Sequence, residues 1–220
     1  MSLGFEIIPS VVSLRESRSL IDRLDRENLG RSRAGARHLM GLQAVADFAR
    51  SEPMLGLARR FVGVDAIPFR ATLFDKSQHS NWLVAWHQDT ALPLDQRSEA
   101  AGWGPWSTKG GVTYAHAPAA ALARIIALRF HFDDSNADNG PLRVLPATHN
   151  RGVLTDDQVA ALVREIEPVD CLVPTGGVIA MRPLTVHASS KAESANPRRV
   201  LHIEYAESLE IGDGLRLALA

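Results

Sequence analysis

Apolar and polar positions alternate in two textures along the chain, and the change falls near Pro68. Ser13-Leu14-Arg15-Glu16 has the form of a capping box, and Leu20, Ile21 and Leu24 follow at helical spacing, so a first helix starts there. The polar run Arg31 to Arg37 interrupts the pattern, and second and third helices are expected from about His38 to Arg50 and from about Glu52 to Phe61. From Pro68 onward, short runs rich in β-branched and aromatic residues are separated by Gly, Pro, Asn and Asp, the signature of an all-β region. Strands are expected over Phe69 to Phe74, Trp82 to Asp89, Ile125 to Phe132, Pro141 to Pro146, Asp170 to Val173, Val178 to Met181 and Arg199 to Tyr205. A helix opened by Thr155-Asp156-Asp157-Gln158 falls among them. Pro93 to Pro118 reads as one long loop anchored by Trp103 and Trp106, folding over the site as a lid.

These elements predict one domain over residues 1–220: a helical cap over about 1–65 and a jelly-roll core over about 66–210. The expected fold is mainly β, a double-stranded β-helix (jelly roll, cupin-like) with the N-terminal helices packed on one sheet and a pocket at its mouth. Strand parity sorts the side chains further. In Ile125 to Phe132, Ile126, Leu128, Phe130 and Phe132 share one face, while Ile125, Ala127, Arg129 and His131 share the other. Near the C-terminus, Arg199, Leu201, Ile203 and Tyr205 are suited to pack against helices. Arg198, Val200, His202 and Glu204 then point into the barrel, where a guanidinium needs a carboxylate or phosphate partner.

The chemistry centres on Trp86-His87-Gln88-Asp89. On a strand, His87 and Asp89 project the same way, about 7 Å apart, while Gln88 points opposite. With His187, a hundred residues later, they would form the 2-His-1-carboxylate facial triad that leaves three cis positions open on Fe(II). Arg31, Arg33 and Arg37 form either a solvated turn or an anion site near the barrel mouth. Asn81 and Lys76, polar residues before a buried strand, read first as turn formers. His116, His131 and His149 are read as hydrogen-bonded structural residues, and the acidic turn Asp133 to Gly140 as a plain hairpin loop rather than a calcium site.

Composition narrows the partners. The 24 Lys and Arg against 25 Asp and Glu leave a formal net charge of -1, which argues against a nucleic-acid partner. The single cysteine, Cys171, can form no internal disulfide, so a reducing, cytoplasmic setting is expected. No apolar run approaches the roughly 18 residues of a membrane span, so a membrane partner is not expected either. A small-molecule substrate fits best; oligomeric state is not written in the sequence.

Three stretches together carry a family resemblance: Trp86-His87-Gln88-Asp89, Asn139-Gly140-Pro141-Leu142-Arg143-Val144-Leu145-Pro146-Ala147-Thr148-His149, and Gly177 through Ser189. From about Arg31 to Ala206 the chain resembles the phytanoyl-CoA dioxygenase family of Fe(II)- and 2-oxoglutarate-dependent oxygenases. The resemblance implies a dioxygenase that uses O2, hydroxylates its substrate and decarboxylates 2-oxoglutarate to succinate. It makes His87, Asp89 and His187 the iron ligands and Arg198, eleven residues after the last, the clamp on the far carboxylate of 2-oxoglutarate. Ser189, Trp106 (or Trp103) and Asn81 become candidates for touching the cosubstrate. Retention of Asp89 favours hydroxylation over halogenation. Where family members often carry Gly-Asp, this chain has Gly176-Gly177, read as a tolerant turn. Two other readings of the same residues stand beside it, a non-enzymatic jelly-roll module holding a sugar or a metal and a zinc hydrolase; neither has a use for an inward arginine.

Overall fold

A computed structural model describes residues 1–30, 35–77 and 80–220. Ser13 caps α1 (Leu14–Leu24) with a complete capping box: its hydroxyl accepts from the Glu16 amide while the Glu16 carboxylate accepts from the Ser13 amide. Two further helices follow, α2 (Gln43–Ala49) and α3 (Glu52–Val62). The helix expected from His38 is shorter, because His38 takes a left-handed backbone and Leu39–Gly41 form only a tight turn before α2 begins.

The three helices cover one face of a six-stranded antiparallel sheet. Its strands are β1 (Phe5–Ile8), β2 (Gly35–Ala36), β3 (Ile67–Lys76), β8 (Ile125–His131), β11 (Val178–Met181) and β13 (Arg198–Ala206), in the order β1-β11-β8-β13-β3-β2. Leu20, Ile21 and Leu24 of α1, Val45 of α2 and Met54 of α3 share one core with Leu73, Leu128, Phe130, Leu201, Ile203 and Tyr205. Parity therefore sends the alternate residues Arg70, Thr72, Phe74 and Lys76 of β3, Arg129 and His131 of β8, and Arg198, His202 and Glu204 of β13 to the opposite face.

A four-stranded antiparallel sheet supplies the second wall: β4 (Val84–His87), β9 (Leu142–Val144), β10 (Val169–Cys171) and β12 (His187–Ser189), in the order β10-β9-β12-β4. Leu142, Val144, Cys171, Ile179 and Met181 form a core cluster joining the two sheets. The helix after β9, α5 (Asp156–Glu165), is capped by Thr155 and packs Val159 and Leu162 against Leu145 and Val186.

Three segments differ from the sequence reading. Residues 93–118 are not a structureless lid: β5 (Ala91–Leu94), β6 (Trp106–Lys109) and β7 (Val112–His116) form a sheet in the order β5-β7-β6, followed by the short α4 (Ala119–Leu122). Lys109-Gly110-Gly111-Val112 makes a tight hairpin there, both glycines having positive φ. Phe5–Ile8 is an edge strand rather than part of a helical cap, paired with β11. Lastly, Gly176-Gly177 is no tolerant turn, because a Cβ on Gly176 would stand 2.3 Å from the Val12 carbonyl oxygen and one on Gly177 2.7 Å from Val173 Cγ1.

A small hairpin, β14 (Glu210–Gly212) and β15 (Leu215–Arg216), ends the chain. Among the described residues no helix is long and apolar enough to cross a membrane.

Candidate active site

His87 and His187 face each other directly across the β4–β12 pairing, with ring centroids 4.3 Å apart. Asp89 lies just beyond the end of β4, where its amide donates to the Pro183 carbonyl at 2.9 Å. Its two carboxylate oxygens stand 3.8 Å from His87 Nε2 and 3.6 Å from His187 Nε2. One ligand atom from each residue lies within 4.8 Å of the others. Gln88 points the other way and ties loops together, donating to the Gly152 and Leu184 carbonyls and accepting from the Leu154 amide.

The hydrogen bonds fix which ring nitrogen is bare. His87 Nδ1 lies 2.8 Å from the Ala85 carbonyl and His187 Nδ1 2.9 Å from the Thr185 carbonyl. A carbonyl only accepts, so each Nδ1 carries a proton and Nε2 is the ring atom each histidine turns toward Asp89. Burial, partly opposed by Asp89, pulls His187 down to about 4, so the imidazole is neutral at physiological pH. Burial works against ionising Asp89, but His187, His202, His87 and Arg70 outweigh it and hold the carboxyl below its usual range. Two imidazoles that turn Nε2 toward an ionised carboxylate, converging from two elements, suit a divalent transition metal.

Beside the triad is a buried cationic chamber. Ser189, two residues after His187 on β12, donates to the Gly140 carbonyl at 2.9 Å and accepts from Lys76 Nζ at 2.8 Å and Arg198 Nη2 at 3.2 Å. Arg198 also lies 3.4 Å from the Asn139 carbonyl through Nε, while its Nη1 is buried with no partner among the described residues. Burial first, and neighbouring Arg129 second, push Arg198 down to about 9; burial and Arg198 push Lys76 down to about 7. Gly140 is required for this packing, since a Cβ there would stand 3.0 Å from Lys76 Nζ and 2.6 Å from the Ser190 carbonyl. Arg199, next along β13, turns outward to a bidentate pair with Asp133 at 2.8 and 2.9 Å.

Residues 15–200 match the family model described as phytanoyl-CoA dioxygenase. The chain belongs to the phytanoyl-CoA dioxygenase family. A curated relative, L-proline trans-4-hydroxylase of Streptomyces griseoviridis, is 25% identical over 240 residues, covering 92% of this chain and 82% of that protein. Among solved structures, AviO1 from Streptomyces viridochromogenes matches with a TM-score of 0.66 at 22% identity, over 93% of this chain and 90% of that one. HygX from Streptomyces hygroscopicus, solved with nickel and 2-oxoglutarate bound, matches at 0.63 and 16% identity, over 93% and 82% of the two chains. The two structural likenesses are statements about fold.

In this family member the cationic interior extends beyond the residues that sequence reasoning selected. Arg129 donates through Nη1 to His202 Nδ1 at 3.0 Å, so His202 carries its proton on Nε2 and presents it to Glu204 at 3.3 Å. Glu204 in turn pairs with Arg70. Among the described residues, Arg129 Nε, both ring nitrogens of His131 and Glu204 Oε2 are buried without a partner. Burial, with Arg198 and Arg129 nearby, holds His131 well below the usual histidine range, so it is neutral. Arg129 and His131 were legible by the parity rule that selected Arg198; Lys76 and Arg70 sit on the matching face of β3.

Other expected contacts lie elsewhere. Trp106 packs in the outer cluster with Leu92 and Leu122, its ring 5.8 Å from the Arg97 guanidinium, and Trp103 is buried there, donating to Asp213 at 2.9 Å. Neither lines the cavity that the triad opens into. Asn81 spends its amide on both backbone groups of Ala192, at 2.7 and 2.8 Å, and so staples two loops. Arg31 and Arg33 lie outside the described residues, whereas Arg37 lines that cavity.

Proposed function

We propose that the protein is an Fe(II)- and 2-oxoglutarate-dependent dioxygenase that hydroxylates a small molecule, built as a single domain over residues 1–220 on a double-stranded β-helix. The single observation that carries this reading is the pairing of a converging His87–Asp89–His187 triad with a buried Arg198–Lys76 pair that has an unpartnered guanidinium nitrogen and no carboxylate in hydrogen-bond reach among the described residues. A dry cation without a counter-ion is costly. The far carboxylate of 2-oxoglutarate would supply that counter-ion and satisfy Arg198 Nη1. A sugar-binding module would have no use for the pair.

In this arrangement His87, Asp89 and His187 hold the metal, and Arg198, Lys76 and Ser189 hold the cosubstrate. Bound iron, 2-oxoglutarate and O2 supply the oxidation: a substrate C–H bond becomes C–OH as 2-oxoglutarate is converted to succinate and CO2. The protein's own part is orientation. Main-chain carbonyls of Ala85 and Thr185 fix the two imidazoles, Ser189 aligns both cations, and the joined sheets keep water from the chamber. With Asp89 present, all three protein ligands remain, which favours hydroxylation over halogenation. The relative that hydroxylates L-proline and the neighbour holding 2-oxoglutarate support the same class.

The test is succinate release from 2-oxoglutarate under air with Fe(II), without added substrate. The wild type should show slow uncoupled turnover, and Asp89→Ala and His187→Ala should each lower it at least about a hundredfold. Equal release from wild type and either variant would refute the assignment.

A further inference from the structure

The triad opens into a cavity of about 310 Å³, large enough for a metabolite-sized ligand. Its wall is of one sign. Arg37, Arg70 and Lys109 line it, and the only acid among the lining residues is Asp89, which the metal engages. Arg70 is neutralised by Glu204 and further tied to the Ala91 carbonyl at 2.8 Å. Arg37 and Lys109 have no ion-pair partner among the described residues, although they come from distant parts of the chain, one just after β2 and the other at the tip of the β6–β7 hairpin.

The folding of residues 91–116 brings them together. Lys109 Nζ lies 5.0 Å from the Tyr114 ring centre and the Arg70 guanidinium carbon 5.9 Å from it, so one aromatic wall faces two cations. The Tyr114 hydroxyl is held by His38 Nε2 at 3.0 Å. Partial burial first, then the like charges of Arg37 and Arg70, depress Lys109 below the usual lysine range. A cleft lined by one sign of charge concentrates counter-ions of the other. Arg37 and Lys109 are themselves exposed, at the mouth of the cavity where an entering anion meets them first.

We infer that the substrate is a small acid whose carboxylate or phosphate is seated by Arg37 and Lys109 over the Tyr114 ring, leaving the rest of the molecule directed down the cavity toward His87 and Asp89. The inference rests on the oxygenase reading and deepens it. This anion site is separate from the Arg198–Lys76 chamber, none of whose residues lines the cavity.

The test uses Zn(II)-loaded, 2-oxoglutarate-saturated protein titrated at constant ionic strength with inorganic phosphate and, in a second arm, with acetate, following the Tyr114 ring signals by NMR. The comparison is Arg37→Gln combined with Lys109→Gln, with circular dichroism confirming its fold. Saturable binding of at least one anion is expected in the wild type, weakened at least tenfold in the double variant, with 2-oxoglutarate affinity unchanged within twofold by calorimetry. Tighter acetate assigns a carboxylate substrate; tighter phosphate assigns a phosphorylated one. Equal anion affinity in the two proteins, or no saturable response in the wild type, overturns the inference. Failure of 2-oxoglutarate to bind while anion binding still depends on Arg37 and Lys109 would sink the oxygenase reading and leave an anion pocket.

Discussion

At the scale of residues, Lys76 gives the proposed chamber a pH signature. Its ammonium is held at about 7 by burial and by Arg198. A bound dicarboxylate places negative charge beside it and raises that value, so binding near pH 7 to 8 must take up a proton. Affinity for 2-oxoglutarate is therefore predicted to fall as pH rises above about 7, and calorimetry in buffers of different ionisation heat should show net proton uptake. Proton release, or no buffer dependence, would exclude Lys76 as a cosubstrate contact. Without ligand the sign runs the other way: a lysine depressed in the folded state binds fewer protons than in the unfolded chain, so its contribution to stability improves between about pH 7 and 10. The triad was readable in sequence because His87, Asp89 and His187 carry chemistry in their identities. Lys76 ranked only as a weaker candidate, read first as a turn former, because nothing in its neighbours shows that the strand from Ile67 runs through to it.

Elements decide which of two adjacent arginines matters. On β13, Arg198 points inward to Ser189 while Arg199 pairs with Asp133 outside. Arg199→Ala should leave 2-oxoglutarate affinity within about twofold, while loss of its bidentate, largely buried pair with Asp133 lowers the melting temperature. A cosubstrate defect in that variant as large as in Arg198→Ala would show the strand register to be misread. Alternation made this legible, because a two-residue period follows from strand geometry alone. The β5–β7 sheet was not legible: its strands are short, one contains Pro93 and another begins right after Pro105, and its pairing is settled by contacts between separate segments. Nor was the role of Gly176, whose positive φ and 2.3 Å approach to Val12 come from the packing of the N-terminal segment. Gly176→Ala is predicted to destabilise by more than about 1 kcal/mol, read as a lowered melting temperature; an unchanged melting temperature would contradict the packing described.

For the whole molecule, two sheets clamp Arg198 and Lys76, buried cations with no counter-ion among the described residues, so folding and ligand binding are coupled. Metal plus 2-oxoglutarate at a hundred times its dissociation constant should add about 2.7 kcal/mol of stability. For a chain of this length that corresponds to a rise in melting temperature of roughly 5 to 10 °C. Arg198→Ala should melt no lower than the wild type by more than a few degrees without ligand, and should lose most of the ligand-induced rise. The fold class could be foreseen from the switch in texture at Pro68, because helical and strand periods differ. Of the charges at the mouth, Arg37 was foreshadowed as part of an anion site, but its convergence with Arg70 and Lys109 was not, because they meet only once the hairpin closes over β3.

The most direct measurement is the titration of 2-oxoglutarate into anaerobic, Fe(II)-loaded protein by calorimetry, beside the same titration without metal and with Arg198→Ala. One site per chain is predicted, with affinity reduced at least tenfold by omitting the metal and at least tenfold by the substitution. Absence of binding to folded, metal-loaded protein, or binding indifferent to both metal and Arg198, would contradict the assignment of the two sites to one catalytic centre.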